Sequence, residues 1–276
     1  MDDLREFIFT DKDFAHVQKL IYEHAGISLS EKKEDLVYSR LVKRLRFHKI
    51  SRFSVYLSLL NDPHSSEWEE FINALTTNLT SFFREKHHFE ALASHVKRNY
   101  SKVSQSQPIK IWCSASSTGE EPYSIAMTMV SLFGCLAPPV KILATDLDTS
   151  VLEKAQKGIY PIDKIEKLSR LQTEQFFLKG KGVQEGFVLI KPELRRLITF
   201  KKLNLLSPEW PMKGQFDVIF CRNVMIYFDK DTQYELLEKF AQKLPPRGLL
   251  FVGHSESFPN ASNVFKLEKH TVYRRV

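Results

Sequence analysis

Ile109-Lys-Ile-Trp-Cys-Ser-Ala-Ser-Ser-Thr-Gly-Glu-Glu-Pro-Tyr-Ser-Ile-Ala-Met127 is the stretch whose reading decides the fold. An apolar run ends in small polar residues, and a helix start follows at once. Ser117 and Thr118 are suited to capping the first amides, and Pro122 to the first turn. Glu120 and Glu121 complement the positive end of the helix dipole. A strand passing directly into a helix is how an open α/β sheet presents a small ligand at the carboxyl end of its first strand. About twenty residues on, Lys141-Ile-Leu-Ala-Thr-Asp-Leu-Asp148 reads as a second strand ending in an acid, placed to bind two ribose hydroxyls. Together these features imply a nucleoside-containing cofactor.

The turn lacks the means to hold phosphate. Neither G-x-G-x-x-G nor G-x-x-x-x-G-K-[ST] occurs, and Gly119 is the turn's sole glycine. A dinucleotide needs backbone amides close to its pyrophosphate, which two carboxylates would repel. Glu120 and Glu121 suit a cationic ligand instead, although either also fits as a dipole partner alone. S-adenosylmethionine carries a ribose, a sulfonium and an amino group, and no phosphate.

Composition sets the outer bounds. A chain of 276 residues holds one large domain or two modest ones with ample core. Its 43% hydrophobic and 26% charged residues place it with globular proteins, away from disordered or fibrous classes. The opening Met-Asp-Asp-Leu-Arg-Glu has neither the basic flank nor the apolar run of a signal peptide. No apolar segment is long enough to span a bilayer, so membrane insertion is not expected. Cys113, Cys135 and Cys221 lack metal-ligand spacing, and the expectation is reduced thiols in a cytoplasmic protein. A net charge of +7 favours an acidic partner without choosing its class.

Outward from the central stretch, the first eighty-odd residues read as helical. Asp11-to-Ala25 and Lys33-to-His48 carry helical apolar spacing, Gly26 is a stop, and Ser65-to-Thr76 is a third helix. From Pro108 strands and helices alternate: strands at 109–115, 140–145, 216–221 and 248–252, helices at 119–133, 149–157 and 230–243. That rhythm predicts a mostly parallel sheet covered by helices on both faces. Phe176-to-Phe200 interrupts it, with Phe187–Ile190 and Leu197–Phe200 as strand-like runs among glycines. This predicts a small antiparallel insertion.

With these residues in view, the chain closely resembles the CheR family, the chemotaxis receptor glutamate methyltransferases. The resemblance is carried by Asn78-Leu-Thr-Ser-Phe-Phe-Arg84, Ser117-Thr-Gly-Glu-Glu-Pro-Tyr-Ser124, Ala144-Thr-Asp-Leu-Asp148, Asn204-Leu-Leu206, Cys221-Arg-Asn-Val-Met-Ile-Tyr-Phe228 and Gly253-His-Ser-Glu256. It implies an all-α N-terminal domain over 1–85, a linker over 86–107, and a Rossmann-like methyltransferase domain over 108–276, with the β-subdomain at about 174–203. It implies S-adenosylmethionine as cofactor and S-adenosylhomocysteine as product. Asn78, Thr80 and Arg84 would close over the cofactor, Glu120 would take its methionine end, and Asp146 its ribose. Asn204 and Leu205 would line the adenine. Arg222 and Asn223 would stand beside the reacting centre, and Tyr227, one turn on, near the transferred methyl. Tyr227 and Arg84 are the catalytic candidates, with the tyrosine as a positioning group.

The resemblance also implies the substrate. A glutamate side chain of a chemoreceptor would become a methyl ester, needing no general base because a carboxylate of pKa about 4.3 is already ionised. Lys32-to-Lys49 carries a net charge of +5. On a helix Arg40, Lys43 and Arg44, joined by Arg46, form a solvated face, which in this family meets the glutamate-rich methylation helices. The β-subdomain would add a receptor's C-terminal pentapeptide as a strand, and the chain would act as a monomer. Two other readings stay open: a non-catalytic cofactor-binding adaptor, and a nucleic-acid methyltransferase. The latter lacks its base-holding motif, since Arg222-Asn-Val-Met225 stands where Asn-Pro-Pro-Tyr would, and no nucleic-acid partner is expected.

Overall fold

The computed structural model describes residues 5–259, 261 and 263–276, so residues 1–4 of the opening read for a signal peptide lie outside the described residues. The chain divides into two compact units, the first comprising described residues up to Thr77 with the strip Tyr227–Thr232, the second Asn78–Ile226 with Gln233–Val276.

The first unit is helical. Helix α1 (Asp11–Ala25) starts in a reciprocal cap between Thr10 and Asp13 and stops at Gly26, whose φ of 64° is left-handed. Helix α2 (Glu34–His48) ends the same way at Lys49, and α3 (Phe53–Ser58) and α4 (Glu67–Leu75) follow. The apolar faces predicted from helical spacing supply the core: Val17 and Ile21 from α1, Val37, Leu41 and Leu45 from α2, Phe53 and Phe71 from the short helices.

The second unit begins with α5 (His87–Asn99), within the segment read as linker; its Phe89, Leu92 and Val96 belong to the sheet's core. There follow β1 (Ile109–Cys113), α6 (Glu120–Phe133), β2 (Val140–Asp146), α7 (Thr149–Lys157), β3 (Ile159–Pro161) and α8 (Arg170–Phe176). Next come β4 (Phe177–Lys179), β5 (Phe187–Ile190), α9 (Pro192–Arg195), β6 (Ile198–Lys202) and β7 (Val218–Cys221). The chain finishes with α10 (Lys230–Gln242), β8 (Leu249–Val252), β9 (Phe265–Lys269) and β10 (Val272–Arg275).

Strand order in the main sheet is β6-β2-β1-β7-β8-β10-β9. The first five strands are parallel, and β10 pairs antiparallel with both β8 and β9. From β1 the chain builds outward through β2 to β6, then returns to the other side of β1 with β7. The crevice at the carboxyl ends of β1 and β7 is therefore the topological switch point, where such sheets bind ligands. Both β7 and β8 are buried along their whole length, which is why Val218–Cys221 and Leu249–Val252 read as unbroken apolar runs. On one face Phe220 stacks on Phe251 at 4.4 Å. Trp112 packs with Trp210, Phe216 and Phe240 in a second aromatic cluster.

Two readings of the sequence change. The run Leu197–Phe200 does not belong to the antiparallel insertion: Ile198–Lys202 is the parallel edge strand of the main sheet, in register with Ile142–Asp146. The small sheet is instead β3-β5-β4, all antiparallel, and it starts earlier, at Ile159. Periodicity could not separate them, because a short apolar run looks alike in either sheet. The C-terminal hairpin β9–β10 was not anticipated, since its first strand, Phe-Lys-Leu-Glu-Lys, is largely exposed and charged. Among the described residues no helix is long and apolar enough to cross a membrane.

Candidate active site

At the switch point three strand ends supply the site. After β1 the chain turns through Ser114–Thr118 and enters α6 at Gly119, whose φ of 98° is left-handed. A Cβ there would stand 2.8 Å from both the Ala155 Cβ and the Tyr160 hydroxyl, so glycine is required on two counts. The helix is capped by Gly119 without a side-chain bond, and the capping expected of Ser117 and Thr118 does not occur. Ser117 donates its hydroxyl to the Asn78 carbonyl at 3.2 Å, and Thr118 donates to Glu120 at 2.6 Å. The α6 N-terminus therefore keeps its positive end turned to the crevice.

Asp146 closes β2. Its Oδ2 accepts the Ser117 amide at 2.7 Å and its Oδ1 the Asp148 amide at 3.0 Å. Burial pushes its pKa up to about 6, against these backbone donors. Capping of α7 falls to Asp148, which accepts from the amides of Ser150 and Val151 and, on its other oxygen, from the Asn78 amide group at 2.8 Å. The division of labour leaves Asp146 out of the α7 cap. Next to it, Leu203 donates its amide to the Asp146 carbonyl at 2.9 Å, bringing Asn204 and buried Leu205 beside the end of β2. Asn204 accepts the Leu206 amide at 2.9 Å, an Asx turn that fixes this segment.

β7 delivers Arg222 and Asn223. The Arg222 side chain is fully buried, donating to Glu121 at 2.6 Å and to the Arg84 carbonyl at 2.6 Å, with Glu85 at 3.2 Å. These internal partners make Arg222 a hub between β7, α6 and the segment before α5. Glu121 also accepts the Cys113 thiol at 3.2 Å. Burial raises the Glu121 pKa in spite of Arg222, whereas Arg222, the His254 amide and Asn223 outweigh burial at Glu85 and lower it. Burial lifts the thiols of Cys113 and Cys221 well above their usual range, which removes both as nucleophiles.

Glu256 is the residue sequence reasoning left without a role. It is buried and accepts the amides of Asn223 at 2.9 Å, Met225 at 2.8 Å and Gly253. One carboxylate thereby staples the loop after β7 to the loop after β8. Gly253 makes room for this, since a Cβ there would stand 2.8 Å from both the Asn223 backbone nitrogen and the Glu256 Oε2. Phe83, Glu85, Ser117 and Asn223 all adopt left-handed φ between 47° and 58° without being glycine. Four such residues on the segments that frame the crevice mark it as a place where backbone strain is held by surrounding structure.

The remaining sequence candidates fall as follows. Thr80 is half-buried, and Arg84 donates to the Leu79 carbonyl at 2.8 Å. Glu120 is buried, with the Lys164 ammonium at 3.9 Å. Tyr227 is described with the first unit, where its carbonyl accepts the Ser28 amide at 2.9 Å. On α2, Arg44 is committed inward to Glu67 at 2.5 Å and Glu70 at 3.2 Å, while Arg40 donates to the carbonyls of Leu75 and Thr76. Arg46 pairs with Glu6 on the surface, and Lys43 is exposed. Of the four residues proposed as a docking face, two thus serve the fold of their own unit.

Comparison with known proteins gives this arrangement its family. The model for the SAM binding domain of CheR methyltransferases matches residues 78–274, and that for their all-alpha domain matches residues 12–76. The chain belongs to the CheR methyltransferase family. It is 48% identical to chemotaxis protein methyltransferase 2 of Pseudomonas aeruginosa, over 98% of this chain and 95% of that one. It is likewise 48% identical to the chemotaxis protein methyltransferase of Escherichia coli, over 96% and 91% of the two chains. The Borreliella burgdorferi chemotaxis protein methyltransferase is 37% identical over 92% and 91%. The chain is a methyltransferase whose cofactor is S-adenosylmethionine. The donor set fits that molecule: a carboxylate at the end of β2, two at the start of α6, and no phosphate-binding glycines.

Proposed function

We propose that this methyltransferase esterifies glutamate side chains on the methylation helices of chemoreceptors. The observation that carries the reading is the switch-point crevice built around Asp146, which is held by backbone donors yet released from capping α7. When bound, S-adenosylmethionine supplies a sulfonium-activated methyl group that a substrate carboxylate displaces, leaving a γ-glutamyl methyl ester and S-adenosylhomocysteine.

The residues contribute position and charge. Asp146 accepts from the ribose hydroxyls, with Asn204 and Leu205 against the adenine and Glu120 with Asn78 and Thr80 toward the methionine end. Arg222 acts through Glu121 and Glu85, orienting both instead of meeting the cofactor itself. Asn223, held by Glu256, lines the reacting side. The attacking carboxylate is ionised at neutral pH, so the site needs no base; orientation and exclusion of water supply the rate, by about 7–11 kcal/mol in favourable cases. Arg84 positions the incoming carboxylate. The buried thiols have no role in this chemistry.

Exposed Lys43 and Arg46 on α2 suit the acidic face of the substrate helices, with Arg40 and Arg44 shaping the surface beneath. In the small sheet β4 is an edge strand, suited to adding a receptor's C-terminal pentapeptide as a further strand, and the chain works as a monomer. The test is transfer of label from methyl-labelled S-adenosylmethionine to chemoreceptor-containing membranes, followed by mild alkali. Incorporated label that is released as volatile methanol is the expected result. Tight cofactor binding without transfer would replace this reading with that of an adaptor.

A further inference from the structure

A second cluster of chemistry-bearing side chains lies in the second unit, between the start of α5 and the loop after β8. The ligand-capable atoms of Glu85, His87 and His254 all lie within 4.8 Å of one another. Nε2 of His87 is buried and, among the described residues, has no hydrogen-bond partner. A histidine nitrogen in that state has lost water without gaining a replacement, which calls for an explanation. We propose that Glu85, His87 and His254 form a binding site for a divalent first-row transition ion, for which zinc is the probe.

Two imidazoles and one carboxylate are a recognised zinc donor set, with the fourth position left to water. Metal–ligand bonds of about 2.0–2.2 Å put the donor atoms of a tetrahedral site about 3.3–3.5 Å apart. The three atoms, within 4.8 Å of one another, must therefore close by at most about 1.5 Å, and His254 is exposed. The surroundings support the same assignment. Glu85 keeps Arg222 at 3.2 Å from its Oε2, while its Oε1 accepts at a long 3.4 Å from the Asn223 amide group and from the His254 amide. A carboxylate that binds an ion through one oxygen and a guanidinium through the other is oriented for the task. Arg222 is shared with Glu121 at 2.6 Å, so its single positive charge faces two carboxylates and leaves the cluster able to take a cation. The His270 ring lies 5.5 Å from that of His87, outside the group of three donors, so the fourth position stays with water.

The experiment is calorimetric titration of the full chain, free of cofactor, with zinc chloride alone. It is repeated on His87→Ala, His254→Gln and Cys135→Ser, the last as a control because an exposed thiol is the competing kind of zinc donor. Thermal melts confirm that each variant is folded. The expected result is one equivalent bound by the parent and by Cys135→Ser, with affinity at least about tenfold lower in both histidine variants. Cobalt substitution should give a visible ligand-field spectrum without a thiolate charge-transfer band. Absence of zinc binding, unchanged affinity in the histidine variants, or loss with Cys135→Ser would each overturn the site. None of these readouts depends on methyl transfer, so failure here leaves the proposed reaction standing, and the reverse holds too.

Discussion

Glu67 in the first unit and Glu121 in the second are both poorly exposed carboxylates facing an arginine, and the outcome of burial is opposite. Burial pushes each pKa upward. At Glu67 the donors Arg44, His48 and Tyr56, at 2.5 to 2.8 Å, more than offset it, and the carboxyl is held below its usual range. At Glu121 a thiol and a guanidinium shared with Glu85 do not, and the carboxyl stays raised. Asp146, with backbone donors alone, rises to about 6. The first unit closes its charges on themselves; the second leaves carboxylates short of donors at the place proposed for a cationic, hydroxyl-bearing cofactor, which would supply them. Structural ion pairs and ligand-binding carboxylates are thus told apart by whether the folded chain completes them.

The sharpest way to break the comparison is at Gly119. Gly119→Ala combines about 1–3 kcal/mol of left-handed strain with about 1–3 kcal/mol of overpacking against Ala155 and Tyr160. Urea denaturation should show the second unit destabilised by about 2–6 kcal/mol, and a loss below about 0.5 kcal/mol would mean that the turn is not constrained as described. Next in size is Arg44→Ala, which leaves Glu67 buried with fewer donors and should cost about 3 kcal/mol. Cofactor affinity, measured by calorimetry, should stay within about twofold in that variant; a collapse of affinity would tie the two units more closely than their separate charge networks imply.

pH separates the two carboxylate classes. Because the folded Glu67 pKa is depressed, its stabilisation is present above the ordinary carboxylate value and is lost as pH falls through the folded one. Asp146 has the opposite sign: its contribution to stability is full below the ordinary aspartate value and is lost as pH rises through about 6. If the ionised form accepts from the ribose, cofactor affinity should increase about tenfold between pH 5 and pH 7, and Asp146→Asn should flatten that profile. A flat profile in the parent would remove Asp146 from the ribose. The smallest effect is expected on α2. Reversing Lys43 and Arg46 to glutamate should leave the denaturation midpoint and cofactor affinity where they are, and lower the rate of methylation of receptor membranes several-fold. An unchanged rate would move the docking face elsewhere.

Much of this was legible in the sequence, and the exceptions have physical reasons. The alternation of strand and helix, the Gly119 turn and the acid closing β2 are local patterns, and local patterns survive in one dimension. The α7 cap is local in the same sense, since Asp148 accepts from amides two and three residues ahead of it. The partner of Arg222 did not, because Glu121 reads equally well as a dipole residue until β7 is laid beside β1. Glu256 is 33 residues from the amide of Asn223 that it holds, and only the topology joins them. The inward commitment of Arg44 was invisible for the same reason: helical spacing says which residues share a face, not that Glu67 stands opposite. Glu85 and His254, far apart in the chain, become neighbours through that same adjacency of loops, and spacing gave no hint of a metal-ligand set.

The most direct test of the contrast between completed and uncompleted carboxylates is calorimetric titration of S-adenosylmethionine into the parent and Asp146→Ala, with thermal melts of both. Each charge-assisted hydrogen bond is worth about 1.5–3 kcal/mol, so affinity should fall at least about tenfold while the cofactor-free melting temperature drops far less than for Arg44→Ala, since removing a desolvated carboxylate offsets the loss of its bonds to the Ser117 and Asp148 amides. Undiminished affinity, or a melting temperature that drops as sharply as for Arg44→Ala, would show that Asp146 is a structural group like Glu67 and would contradict the account.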